Sequence, residues 1–165
     1  MRKSVFAAIA ALIIFLPVTL YAAVLEEVVV TAQKREQRLQ DVGIAVTAMS
    51  GDQMEALGFD TAQQVTAMAP GVSTVQPNGE ANYSIAIRGV ANSDFTTNVE
   101  SPVAVYLDEV YVSQMSGTGF MLFDMERVEI LRGPQGTLYG RNATGGLAHF
   151  LTIKPSQEAD GYAKV

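Results

Sequence analysis

Residues 127–152, RVEILRGPQGTLYGRNATGGLAHFLT, decide how this chain is read. The stretch opens on alternating apolar residues, Val128 and Ile130, the period-2 pattern of a strand. It then breaks into a loop carrying Gly133, Pro134, Gly136, Gly140, Gly145 and Gly146, and closes on a second apolar run from Leu147 to Leu151. Glycine at that density implies backbone in conformations closed to other residues, or backbone packed too closely for a side chain. The expectation is a shaped loop hung between two buried strands.

The rest of the composition limits what such a loop can serve. A length of 165 residues suits one domain of ordinary size. With no cysteine there is neither a disulfide framework nor a thiolate metal site nor a thiol nucleophile. The single histidine, His149, rules out His-rich metal sites, and its place in an apolar run predicts a core residue. The formal net charge is −6, and removing Arg2 and Lys3 from the 11 basic residues leaves 9 against 17 acidic ones, a net of −8. That balance argues against nucleic acid, whose binding is dominated by basic contacts to phosphate.

Arg2 and Lys3, the apolar run from Val5 to Leu16, and Pro17 followed by small residues have the layout of a secretory signal peptide, assigned to residues 1–22. The alternative is an uncleaved anchor, since residues 5–24 are nearly long enough to span a bilayer. Pro17 and the short core favour cleavage and hence export. Next comes LEEVVVTAQ, residues 25–33, where three consecutive valines and Thr31 favour extended backbone. With no evident neighbouring strand, it suits addition to the edge of a partner's sheet. An ordinary first strand of the domain's own sheet is the even alternative from periodicity alone.

Residues 44–49, IAVTAM, alternate as a strand. Ser50 with Gln53, and Thr61 with Gln64, form two capping boxes that start short helices. Met54 and Leu57 are expected inward on the first helix, and Ala62, Val65, Met68 and Ala69 on the second. Strands follow at residues 72–75 and 84–88, separated by a Pro77-Asn78-Gly79 turn. Residues 91–102 read as an exposed polar loop, and residues 103–112 as a long strand or hairpin bent at Asp108-Glu109. Residues 120–125 are ambiguous between a short helix and a turn. The fold class expected is α+β, a small mixed β-sheet with two short helices.

No catalytic constellation emerges. A P-loop needs Gly-Lys-Ser/Thr, and here Gly140 precedes Arg141 and Asn142. A dinucleotide fingerprint needs an initial Gly-x-Gly and a helix after the loop, and neither is present. Glu126 and Glu129, like Asp108 and Glu109, are expected on solvated faces or in structural ion pairs. No cofactor and no metal site is expected, and the chain reads as a non-enzyme.

The residues do carry a resemblance. EILRGPQGTLYGRNATGG, residues 129–146, resembles the signature of the plug domain of TonB-dependent outer-membrane receptors. EEVVVTAQ, residues 26–33, is similar to the family's TonB box, SIAIRG at 84–89 to its Ile-Arg-Gly strand end, APGV at 69–72 to its Pro-Gly-Val, and residues 103–110 to its Val-x-Val-Tyr-x-Asp strand. The resemblance is collinear over residues 25–155.

It implies a plug that fills the lumen of a 22-stranded barrel in a Gram-negative outer membrane. Such receptors import scarce ligands of the siderophore, cobalamin or carbohydrate class. The C-terminal domain of TonB would capture Glu26, Glu27, Val28, Val29, Val30, Thr31 and Ala32 by strand addition. Arg88 and Arg132 would be the plug's half of an ion-pair cluster with carboxylates of the barrel wall. Gly133, Pro134, Gly136, Tyr139, Gly140, Arg141, Asn142, Gly145 and Gly146 would form the signature loop. Loops 76–82 and 91–101 correspond to the apical regions, where a small ligand such as a metal chelate is contacted.

The implied organisation is a signal peptide at 1–22, a TonB box and flexible linker at 23–41, a plug at 42–155, and the start of a missing barrel or a tail at 156–165. Three positions depart from the family pattern: His149 stands where asparagine is usual, Ile153 where a basic residue is common, and Glu109 where glycine often follows the aspartate. The leading reading is the plug of a receptor, a fragment not competent for transport alone. The alternative is a free-standing periplasmic interaction or ligand-binding module with a plug fold. The gene sequence beyond codon 165 separates them.

Overall fold

The two strands that flank the glycine loop, β8 (Met125–Arg132) and β9 (Gly146–Thr152), lie antiparallel at the centre of a five-stranded sheet. The computed structural model describes residues 28–76, 82–94, 96, 98–158 and 161. The signal peptide, Glu26, Glu27, the Pro77-Asn78-Gly79 turn, and residues 159, 160 and 162–165 of the tail lie outside the described residues.

Around this pair the chain runs β1 (Val29–Val30), β2 (Gln37–Arg38), β3 (Ala45–Ser50), α1 (Gly51–Ala56), α2 (Ala62–Ala67), β4 (Val72–Val75), β5 (Ser84–Ile87), β6 (Val103–Leu107) and β7 (Val110–Tyr111). A short helix, α3 (Gly136–Tyr139), lies inside the glycine loop. The main sheet has the order β3-β8-β9-β6-β7. Only the β6–β9 pairing is parallel, so the sheet is mixed. β4 and β5 form a separate antiparallel pair, as do β1 and β2.

Strand alternation sorts the sheet's side chains into two cores. Val103, Val105, Val128, Ile130, Ala148 and Phe150 pack against α1, α2 and β5 through Met54, Ala62, Val65, Ile85 and Ile87. Phe120 meets Phe150 edge to face, with ring centroids 4.9 Å apart. Each fully buried side chain of this size contributes about 1.5–3 kcal/mol. On the other face, Ala104, Leu131 and Leu147 pack against Val30, Ala32, Tyr139 and Ala143. The N-terminal segment and the glycine loop therefore cover one face, and the helices cover the other.

The expected α+β architecture is present, with particular differences. Ser50 and Gln53 form the capping box, and Gln64 Oε1 accepts from the N–H groups of Asp60 and Thr61 at 2.8 and 3.0 Å. Leu57 and Met68, expected inward, are both 54% exposed. Each helix has only six residues, too short to carry a wide apolar stripe, and Leu57 and Met68 fall at the helix ends. Phe59 packs on the core where Leu57 was expected. Residues 120–122 form neither helix nor turn but lie extended along the start of α2, with Ala62 N–H on Phe120 O and Leu122 N–H on Asp60 O.

The valine-rich segment is not without a neighbour strand: Val29 pairs with Arg38 and Val30 with Gln37. The bend after β6 puts Asp108, at φ 52°, in the left-handed region, so Glu109 is spared a positive φ. Aspartate tolerates that region better than most side chains.

Candidate functional site

Register aligns one residue from each strand in a row across the sheet: Ala48, Glu129, His149, Tyr106 and Tyr111. Four of the five are polar, an unusual content for a covered face. Glu129 and His149 are 0% and 1% exposed. His149 is the core residue expected, its Nε2 against Asp108 O and its ring edge-on to Tyr106 and Tyr139. Asp108 in turn accepts at Oδ1 from Thr152 N–H at 2.9 Å, which fixes the bend to the end of β9.

The signature loop lies over this row. Tyr106 O–H donates to Tyr139 O at 2.7 Å, and Asn142 Nδ2 donates to Tyr111 O–H at 2.8 Å. Tyr139 is 6% exposed, and burial, with the charges of Glu129 and Glu109 beside it, pushes its phenol up to about 12. Burial also raises Tyr106 and Tyr111. All three hydroxyls therefore stay protonated at ordinary pH, Tyr106 and Tyr139 donating and Tyr111 accepting.

The N-terminal segment docks on the same ground. Thr31 donates its N–H to Glu129 Oε1 at 2.7 Å and its hydroxyl to the same oxygen at 3.2 Å. Arg127, two residues along β8 and on the same face, donates Nε to that oxygen at 2.7 Å. Tyr139 O–H reaches Thr31 O and Ala32 O, each at 3.3 Å. Val30 and Ala32 are fully buried, Val28 packs beside them, and Val29 is 44% exposed.

Within the loop the glycines divide. Gly133, Gly140 and Gly146 have φ of 121°, 82° and 142°. A Cβ on Gly146 would lie 2.3 Å from Leu131 O, closer than any side chain permits. A Cβ on Gly145 would meet Val90 at 2.9 Å. Gly136 needs neither explanation: it opens α3 with open space where a Cβ would go. Pro134 is exposed, and Arg141, also exposed, pairs with Glu100.

Arg88 and Arg132 converge on one turn. Arg88 N–H donates to Gly71 O at 2.9 Å, and Arg132 Nη1 donates to Pro70 O at 3.0 Å. Arg88 is exposed at φ 52°, its guanidinium next to Gly133. Among the described residues neither arginine has an ion pair. The two lie 44 residues apart in the numbering, and only the fold brings them together.

Sequence reasoning missed Glu129, Arg127 and Tyr106 as site residues. The available signal was Glu129 itself, a carboxylate at an inward position of an apolar alternation, which demands buried partners. Among the described residues no group of His, Cys, Asp and Glu could hold a metal, and no helix is long and apolar enough to cross a membrane. A small cavity of about 40 Å³ separates Asn92, Asp94 and Thr96 from residues 113–116, in the region expected to be apical.

The family described as TonB-dependent Receptor Plug Domain matches residues 38–147. The chain is 34% identical over 137 residues to a pesticin receptor from Yersinia pestis, covering 81% of this chain and 20% of that one. It is 29% identical over 139 residues to a vitamin B12 transporter, BtuB, from Vibrio vulnificus, covering 81% and 21%. Among solved structures, the ferric yersiniabactin uptake receptor FyuA from Yersinia pestis superposes with a TM-score of 0.60 at 31% identity, over 70% of this chain and 18% of that one. The chain thus spans about a fifth of the length of the curated relatives it matches. The family match covers most of the described domain, including the signature loop and, in the row beneath it, every residue but His149: the chain belongs to the family of TonB-dependent receptor plug domains.

Proposed function

We propose that this chain is the plug of a TonB-dependent outer-membrane receptor, acting in energised uptake of a scarce ligand of the siderophore, cobalamin or carbohydrate class. The observation that carries the reading is the docking of the β-prone segment 28–32 onto the signature loop through Tyr139 and Thr31. A partner-binding strand held against the plug is placed to report the plug's state to TonB. The relatives' names, a pesticin receptor, a vitamin B12 transporter and a ferric yersiniabactin uptake receptor, support uptake or reception as the task.

Two surface features support a surrounding barrel wall as the second partner. Arg88 and Arg132 meet at one turn with no ion pair among the described residues, so wall carboxylates would complete them. Met121, Phe123 and Ile153 are 59%, 68% and 51% exposed around a groove of about 420 Å³, and exposed apolar area of this kind marks a contact surface. The relatives are receptors and transporters, which favours a non-enzymatic role.

The test is titration of the chain with the C-terminal domain of TonB. Binding is expected, and Val29→Pro should abolish it, because proline removes a ladder donor and distorts the strand. Undiminished binding by the proline variant overturns the assignment of the segment. A free-standing periplasmic module with a plug fold remains the second reading, and the docked segment would serve it equally.

A further inference from the structure

Glu129 and His149 face each other directly across the β8–β9 pair, and both are buried. Directly opposed residues of an antiparallel pair hold their Cβ atoms about 5 Å apart, so the two side chains are neighbours. Each uses one polar atom and leaves the other without a hydrogen-bond partner among the described residues: Glu129 Oε2 and His149 Nδ1. The bonds that are made fix the chemistry of the two atoms left over. His149 Nε2 lies against Asp108 O, and a carbonyl oxygen only accepts, so Nε2 carries the ring hydrogen. In a neutral imidazole Nδ1 is then an acceptor. Glu129, ion-paired with Arg127 through Oε1, is a carboxylate, so its Oε2 is an acceptor too. Two neighbouring buried acceptors lack a donor, which is costly away from water. A single proton removes the deficit at both.

We propose that Glu129 and His149 form a proton-binding site inside the sheet. A proton taken from solvent onto Nδ1 makes an imidazolium whose Nδ1–H donates to Glu129 Oε2, joining β8 to β9 side chain to side chain. Histidine suits the task because imidazole ordinarily changes charge between pH 5 and 8. The other charged and titratable groups around the ring are engaged elsewhere. On β8, Arg127 is held by Glu129 Oε1 and Glu126. From β6 and its bend come Tyr106, edge-on to the ring, and Asp108, whose carboxylate accepts from Thr152. Tyr111 lies beyond Tyr106 on β7, and α3 contributes Tyr139. Lys34 stands over the Tyr139 ring and is offset by Glu109, its ion-pair partner at 3.7 Å. Glu129 Oε2 is thus the acceptor left for the ring. Because the folded state gains from the proton, the added stability is present below the range where a free imidazole titrates and is lost as pH rises through and above it. β8 and β9 flank the signature loop, so mild acid fastens the two ends of that loop together. The site is independent of what residues 28–32 bind.

The experiment uses the untagged full chain, whose one histidine is His149, so the ring signals need no assignment. Nitrogen NMR of the ring between pH 8 and 5.5 should show Nδ1 gaining a hydrogen while Nε2 keeps its own, with the new Nδ1–H protected from solvent exchange. Over the same interval the folding equilibrium constant of wild type should gain about tenfold on that of His149→Asn, the scale of one charge-assisted hydrogen bond. Denaturant midpoints supply the constants. A ring that stays neutral in the folded chain at pH 5.5, or an Nδ1–H that exchanges freely, overturns the site. So does a stability difference between wild type and His149→Asn that is the same at both pH values. Glu129→Gln should cancel the gain, and its full persistence in that variant overturns Glu129 as the acceptor. Should either variant fail to fold, the ring signals of the wild-type chain decide alone.

Discussion

Thr31 and Glu129, 98 residues apart in sequence, are joined by two hydrogen bonds, from the N–H and the hydroxyl of one to a single carboxylate oxygen of the other. This joins the first described strand to the middle of the sheet, beside the signature loop. The same oxygen accepts from Arg127, which places a buried ion pair under the N-terminal segment.

Arg127→Met should therefore destabilise the domain by about 3 kcal/mol, because it leaves a fully buried carboxylate without its counter-charge. Combining it with Glu129→Met should recover most of that loss, since a buried pair replaced by apolar residues of similar volume is often neutral. Denaturant midpoints of the two variants check the pattern; a double variant as unstable as the single one contradicts it.

Alkaline pH should weaken the site through Tyr139. Its phenol is raised to about 12 from an ordinary value of 10, so the folded state prefers the neutral form. The corresponding stability is complete below pH 10 and declines as pH rises from 10 through 12. Tyr139→Phe, which cannot ionise, should show a shallower decline across that window. Parallel wild-type and variant curves of stability against pH would contradict this.

The loop glycines should separate sharply. Gly146→Ala, at φ 142° and 2.3 Å from Leu131 O, should cost at least about 3 kcal/mol. Gly136→Ala, in the first turn of α3 with open space around it, should stabilise by about 0.5–1 kcal/mol. Thermal melts of the two variants provide the comparison.

Asp108→Ala should lose about 2 kcal/mol, combining the strain of alanine at φ 52° with the lost acceptor for Thr152. Asp108→Asn keeps both the tolerance of that conformation and an acceptor, and should lie near wild type. Equal melting temperatures for the two variants would remove the bend from the account.

The order of elements was readable because it rests on local rules. Alternation marked β3, β6 and β8, Ser50 with Gln53 marked the start of α1, and Asp108-Glu109 marked the bend. The inward faces of the helices were less readable, since Leu57 and Met68 follow helical spacing but lie where a six-residue helix ends. β2 carries no pattern at all: Gln37 and Arg38 are polar neighbours that become a strand only because Val29 and Val30 are beside them.

The sequence by itself carried the resemblance to the family in its quoted motifs, and it carried the mixed-sheet α+β class in strand alternation and capping residues, which rest on residue type and short-range spacing. Only the tertiary structure decided which residues meet: Thr31 with Glu129 and Tyr139, Arg88 with Arg132 at the Pro70-Gly71 turn, and His149 between Glu129 and Tyr106. These contacts depend on strand register and on which face a segment covers. A change of one residue in register moves every side chain to the opposite face, so no local pattern can specify them.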